Sequence, residues 1–241
     1  MSTSTPTRVA VAALQQAFDT LARYNRGSGR DTLKPIDDAA MAAAADAGLR
    51  ADIQARLVAT LRSPASAVAK EYACGRLALI GGPEAVPALA DLLPNTDLAH
   101  PATDALQRMT CDEAVRALRE NLPKLAGLPL TGVITALGAR RDLASVGALT
   151  ALLSNTDAAV ASAAAAALGE IGSPAAATAL RELLTKAPPA WNGVLADACL
   201  LCARRLDASG NPAEARAIAD ALLSAGLASY VRDAIKGLDL Q

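Results

Sequence analysis

Few side chains in these 241 residues are of types that do chemistry, and their spacing decides what they can do. His100 is the single histidine. Asp104 follows four residues later, so on a helix the two would share a face and a local charge contact. A lone histidine brings no second nitrogen ligand to a metal. Cys199 and Cys202 have the CxxC spacing, but they lie inside 194–206, which reads as continuous helix. No second CxxC and no nearby histidine completes a zinc set, so the expectation is two small buried residues on one helical face. With Cys74 and Cys111 the thiols are too few and too scattered for a disulfide framework. The carboxylate pairs Asp37-Asp38 and Asp112-Glu113 fall at expected helix starts, where negative charge favours the helix dipole. The run 26–30, Arg-Gly-Ser-Gly-Arg, is rich in glycine but lacks the Lys-Ser/Thr ending of a phosphate loop, and it reads as a flexible connection. No Gly-x-Ser-x-Gly, His-Glu-x-x-His or Walker pattern occurs. The expectation is no catalytic residue, no metal and no cofactor.

The elements that carry these residues follow from composition. Hydrophobic residues make up 52% and aromatics only 2%, with alanine and leucine dominant. These are the strongest helix formers, and the β-branched and aromatic residues that strands favour are scarce. The fold class is all-α. Twenty-three basic and 24 acidic side chains leave a net charge of −1, with no basic run longer than Arg140-Arg141 or Arg204-Arg205. Such pairs read as solvated turns or helix ends, and a nucleic-acid partner is not expected. Leu125–Ala139 is uncharged but too short to cross a bilayer, and Pro129 interrupts it. The opening eight residues are polar, and the apolar stretch 9–14 is too short for a signal-peptide core. A cytoplasmic location is expected if the chain is complete, and an exported one if it is a trimmed mature domain.

Repeats organise the chain. Segments 86–97 and 146–157 match at eight of twelve positions. Leu89, Leu118, Leu149 and Leu180 recur at steps of 29, 31 and 31, and Leu77, Leu106, Leu137 and Leu168 follow the same steps. Each period divides into two helices. In the fourth copy, Val146, Leu149, Leu152 and Leu153 lie on one face of the first helix. Asn155-Thr-Asp157 breaks it, and Asp157 or Thr156 can cap the second helix, whose inward side is Val160, Ala163, Ala164, Ala167, Leu168 and Ile171. Gly172-Ser-Pro174 ends the pair, with glycine left-handed, serine as cap and proline at the next first turn. Gly81-Gly-Pro83 and Gly210-Asn-Pro212, the latter with Glu214 as the partner of a capping box, are expected to act alike. Six pairs result, over 52–81, 83–110, 111–141, 142–172, 173–209 and 211–238, preceded by helices over 7–24 and 35–47. The architecture expected is an α-solenoid of about six helix pairs. Residues 1–50 form an N-terminal cap and 51–241 a repeat array continuous with it. A pair of about 30 residues cannot bury its own apolar stripe, so neighbours must stack.

Val86-Pro-Ala-Leu89, Asn155-Thr-Asp157 and Ala167-Leu-Gly-Glu-Ile-Gly172 resemble the HEAT-like repeats of phycobilisome lyase subunits. Residues 70–77, 137–142 and 198–203 resemble HEAT modules of planctomycete and verrucomicrobial multidomain proteins. The resemblance implies a fold, a right-handed superhelix of about six HEAT-type pairs, and leaves function open. A non-catalytic scaffold holding a protein or peptide on its concave face is the first reading, its partner-binding residues being His100, Asp104, Arg108, Arg140, Arg141 and Trp191. Trp191 follows Pro188-Pro189 in an insertion, and insertions map to loops. Tyr72 and Tyr230 are the other aromatic candidates. A structural spacer of a larger protein and a phycobilin-lyase-like chromophore-handling subunit are the alternatives. No membrane insertion is expected, and a monomer is favoured.

Overall fold

The computed structural model describes residues 8–225 and 229–236. The α-helices succeed one another in pairs, one of them starting at Ala47, inside the stretch expected as cap, and no strand occurs among the described residues. Thr7, Leu238 and the side chain of Tyr230, which the sequence reading also used, lie outside the described residues. The chain forms two compact units, residues 1–121 and 122–241.

The first unit opens with α1 (Arg8–Leu21) and α2 (Lys34–Ala42). The next pair starts from two side-chain caps the sequence supplies. In α3 (Ala47–Arg62) the Asp46 carboxylate accepts from the Leu49 amide at 3.0 Å. In α4 (Ala67–Ile80) the Ser66 hydroxyl accepts from the Ala69 amide at 3.1 Å. These bonds satisfy amide groups that the first turn of a helix leaves without partners. A 3₁₀ turn at Pro83–Ala85 leads into α5 (Val86–Ala90), then come α6 (Ala99–Arg108) and α7 (Asp112–Asn121). The second helices α2, α4 and α6 pack side by side as one layer. The core beneath holds Leu33, Ile36, Ile53, Leu57, Leu77, Leu89, Leu106 and Leu118, all with no exposed surface.

The second unit contains α8 (Gly127–Ala139), α9 (Val146–Leu152), α10 (Ala158–Ile171), α11 (Pro174–Leu184), α12 (Asn192–Ala208), α13 (Pro212–Ser224) and α14 (Ser229–Lys236). Leu137, Leu149 and Leu168 are fully buried, each stabilising by about 1.5–3 kcal/mol. Helix α10 packs on both α8 and α12. The approach is close because the facing residues are small. A Cβ added to Gly138 would lie 2.8 Å from the Ala167 Cα, and one on Gly169 would lie 2.6 Å from the Ala198 carbonyl oxygen. These two glycines stand one repeat apart, so the same position sets both helix spacings.

The helix ends divide the expected capping roles. Asp157 caps α10 through the Ala159 amide at 2.9 Å, and Ser173 caps α11 through Ala176 at 3.2 Å, with Pro174 at the first position. Gly172 is left-handed, at φ 60°. Gly81 is not: it is extended at φ −66°. Its need for glycine is steric, since a Cβ there would sit 2.5 Å from the Leu77 carbonyl oxygen. The expected capping box at Asn211 is also absent, because the Asn211 side-chain amide donates to the Ser209 carbonyl and hydroxyl instead. The glycine of that turn keeps its role. Gly210 is left-handed at φ 78°, while the Asn211 amide reaches the Leu206 carbonyl at 2.9 Å and the Gly210 amide the Asp207 carbonyl at 3.0 Å. This is the Schellman closure of a helix. Arg141 adopts the same geometry at the end of α8. Its φ is 51°, its amide meets the Gly138 carbonyl at 2.8 Å, and the Asp142 amide meets that of Leu137 at 3.1 Å.

Candidate functional site

Helix α6 carries His100, Asp104 and Arg108 at successive turns, all exposed, above the buried row Ala99, Ala102, Thr103, Ala105 and Leu106. The histidine does not take the aspartate expected of it. Asp104 lies 3.7 Å from Arg108, one turn on, because a permanently charged guanidinium on a long stem reaches further along the helix than an imidazole. In the second unit, Arg140 is the half-buried C-cap of α8 and Arg141 is exposed at the following left-handed turn. The turn reading of this arginine pair therefore describes its backbone. Trp191 is not on a projecting loop. It closes a 3₁₀ turn, Pro189–Trp191, that leads directly into α12, and it is half-buried. Beside that turn is an open cavity of about 480 Å³ lined by Leu184, Pro189, Asn192, Ala221 and Ser224.

Three of the four cysteines are buried, and Cys111 is half-buried. Cys74, Cys199 and Cys202 have no exposed surface, and burial pushes their thiols up to about 12. No group of three or more His, Cys, Asp or Glu side chains could hold a metal ion among the described residues. No described helix is long and apolar enough to cross a membrane.

A site that sequence reasoning missed lies on the second-helix layer of the first unit. Asp37, on the first turn of α2, does more than face a helix dipole. Its Oδ1 accepts from the Tyr72 hydroxyl and from Arg76 Nη1, both at 2.7 Å. The Arg76 guanidinium lies 5.4 Å from the centroid of the Tyr72 ring, a cation–π distance. Burial first, and the hydrogen bond to Asp37 second, hold the Tyr72 hydroxyl well above the usual phenol range. It therefore stays a hydrogen-bond donor at any physiological pH.

The connection between α1 and α2 forms the facing wall. Ser66, the cap of α4, donates its hydroxyl to the Tyr24 carbonyl and so fixes the end of α1 against the start of α4. The Tyr24 hydroxyl donates to the Ser28 carbonyl at 3.1 Å, and the Ser28 amide donates to the Asn25 carbonyl at 3.0 Å. The glycine-rich run is thus a hydrogen-bonded turn, with Gly27 at φ 95°. Between this turn and α4 is a cleft of about 280 Å³ lined by Tyr24, Arg30, Glu71, Tyr72, Gly75 and Arg76. A broader shallow groove of about 780 Å³ lies on α3, where Glu84 accepts from Gln54 at 3.1 Å. Its own backbone amide first, and Gln54 second, lower the Glu84 carboxyl from its usual range.

Residues 131–196 match the family described as HEAT repeats. The matched segment runs from within α8 to the first turns of α12, so it spans the closely packed helices whose spacing Gly138 and Gly169 set. Among solved structures, the chain is similar to human deoxyhypusine hydroxylase in complex with glycerol, at 18% identity and a TM-score of 0.36, covering 83% of this chain and 96% of that one. No curated protein matches it. Leucines recurring every 29 to 31 residues, helices in pairs and the matched family agree: this is an all-α chain of paired helices whose residues 131–196 match HEAT repeats.

Proposed function

We propose that the chain is a non-catalytic interaction scaffold that binds a protein or peptide on its second-helix faces. Stacked repeats of this kind create extended surfaces rather than enclosed reaction chambers. The observation that carries the reading is the layer formed by α2, α4 and α6, which presents Glu71, His100, Asp104 and Arg108 to solvent along neighbouring helices. A mixed-charge ridge suits a polar partner surface, and arginine is among the residues that dominate binding energy at such contacts. In the second unit, Arg140, Arg141 and Trp191 are the corresponding contact residues of this proposal. Residues 1–50 serve as the polar end cap of the array, which works as a monomer.

The test is an affinity capture from host extract read by mass spectrometry, with the wild type beside Arg108→Ala and beside Arg140→Ala/Arg141→Ala. Circular dichroism should show all variants folded. A partner held by the wild type and lost from Arg108→Ala supports the reading. Identical or empty captures from all three proteins overturn it.

A further inference from the structure

We propose that the cleft between the 24–30 turn and α4 is an anchor site for an acidic segment of a partner polypeptide, which deepens the scaffold reading and rests on it. Of the two arginines in its lining, Arg76 is committed to Asp37 through Nη1 at 2.7 Å. That contact and the Tyr72 ring hold its guanidinium in a fixed orientation before any ligand arrives. Arg30 is different. It is exposed and makes no hydrogen bond or ion pair among the described residues. It opens the 3₁₀ turn Arg30–Leu33, in which Asp31 follows it directly, and Arg23 and Arg26 precede it outside the lining. Glu71 is the one anionic side chain of the lining, and it is exposed. The lining therefore carries two guanidiniums against one carboxylate, with the free one of Arg30 at the mouth and two tyrosine rings behind it. A carboxylate is the complementary group, because guanidinium forms short charge-assisted bonds to it.

Exposed apolar side chains lie further along the same two helices, α2 and α4. Tyr72 Oη lies 3.4 Å from the Leu33 carbonyl and 2.7 Å from Asp37, and Asp37 also meets Arg76. Residues 33 and 37 thus pair with 72 and 76 in the same direction, so α2 and α4 run parallel. One turn further along, Met41 on α2 is 77% exposed and Leu79 on α4 is 57% exposed. Exposed large apolar side chains beside a charged anchor are the arrangement of a peptide-binding groove. The occupant that fits is a segment with acidic residues next to a leucine-like residue.

The test is fluorescence anisotropy with a labelled eight-residue peptide of glutamate pairs separated by leucines, against the same peptide with glutamine in place of glutamate. The wild type should bind the acidic peptide saturably, and the glutamine peptide should bind at least roughly tenfold more weakly. Arg30→Ala should weaken binding roughly three- to tenfold, and Glu71→Gln should tighten it by roughly twofold or more, since it removes a like charge. Both positions are exposed, so the variants should keep the wild-type circular dichroism. Equal affinity of wild type and Arg30→Ala, weaker binding by Glu71→Gln, or no preference for glutamate over glutamine would each overturn the assignment. The titration reads the cleft alone. A partner still captured from extract by Arg30→Ala, together with a failed titration, removes the cleft and leaves the scaffold reading standing. Empty captures with a successful titration do the reverse.

Discussion

Two glycines in equivalent secondary structure should respond differently to the same substitution. Gly132 lies in the middle of α8, and a Cβ added there meets nothing within 4 Å. Alanine is favoured over glycine in a helix by about 0.8–1.0 kcal/mol, so Gly132→Ala should stabilise by about that amount. Gly169 lies in α10, where the added Cβ would stand 2.6 Å from the Ala198 carbonyl oxygen and 3.0 Å from its Cα. That oxygen is nearly a full ångström closer than ordinary contact, and it belongs to the backbone of α12, which no rotamer change can move. Over-packing of this kind costs about 1–3 kcal/mol. Against the same propensity gain, Gly169→Ala should be neutral to destabilising by about 2 kcal/mol.

The comparison isolates packing, because the propensity term is common to both variants and cancels in their difference. That difference should be about 1–3 kcal/mol, read from urea unfolding followed by far-ultraviolet ellipticity. Gly138→Ala supplies an internal repeat of the experiment. Its Cβ would fall 2.8 Å from the Ala167 Cα, and it should behave like Gly169→Ala. The reasoning is refuted if Gly169→Ala is at least as stable as Gly132→Ala.

Arg141 is a non-glycine residue at φ 51° whose side chain is exposed, so Arg141→Gly should stabilise by about 0.5–1 kcal/mol in the same urea assay; a loss of stability would show that its side chain is needed. Asp37→Asn breaks the acceptor shared by Tyr72 and Arg76 and should destabilise by about 1–2 kcal/mol, whereas Asp38→Asn, which loses only the exposed pair with Lys34, should change stability by less than about 0.5 kcal/mol. Native protein should show one readily labelled thiol, the half-buried Cys111, and four in urea; two or more fast thiols in the native state would contradict the burial of Cys74, Cys199 and Cys202. Those three thiols sit at about 12 when folded against an ordinary value of 9.0, so the folded state holds their protons more tightly. Their contribution to stability is complete below pH 9.0 and is lost as pH rises toward 12, which urea midpoints across that window should record.

The parts of this protein legible in its sequence are those governed by local rules. Leucine spacing placed the helix pairs, because burial of one stripe per helix imposes a period that survives variation elsewhere. Asp157, Ser173 and Gly172 act as expected, because a cap is decided within four residues. Gly81 and Asn211 depart from expectation where the local rule had a competitor: the Leu77 carbonyl crowds one, and Ser209 takes the side-chain amide of the other. His100 and Asp104 had the right spacing, but Arg108 stands at the same spacing on the other side of the aspartate.

The cleft was beyond local rules for a definite reason. Its lining comes from the segment after α1 and from α4, with Asp37 of α2 bonded to Tyr72 behind it, and Tyr24, Asp37 and Tyr72 stand more than ten positions apart in sequence. A signal existed nonetheless. If the first two helices are placed in register with the repeats, α2 becomes a second helix beside α4, and Asp37 falls opposite Tyr72 and Arg76. A carboxylate facing a phenol and a guanidinium across adjacent parallel helices is then expected to bond them. The same registration explains the Ala-Leu-Gly motif. Its glycine reads in sequence as a mark of repeat family, yet its cause is the distance between neighbouring second helices, which only a stacked arrangement makes visible. Register between repeats, rather than pattern within one, is the variable from which function in such a chain has to be read.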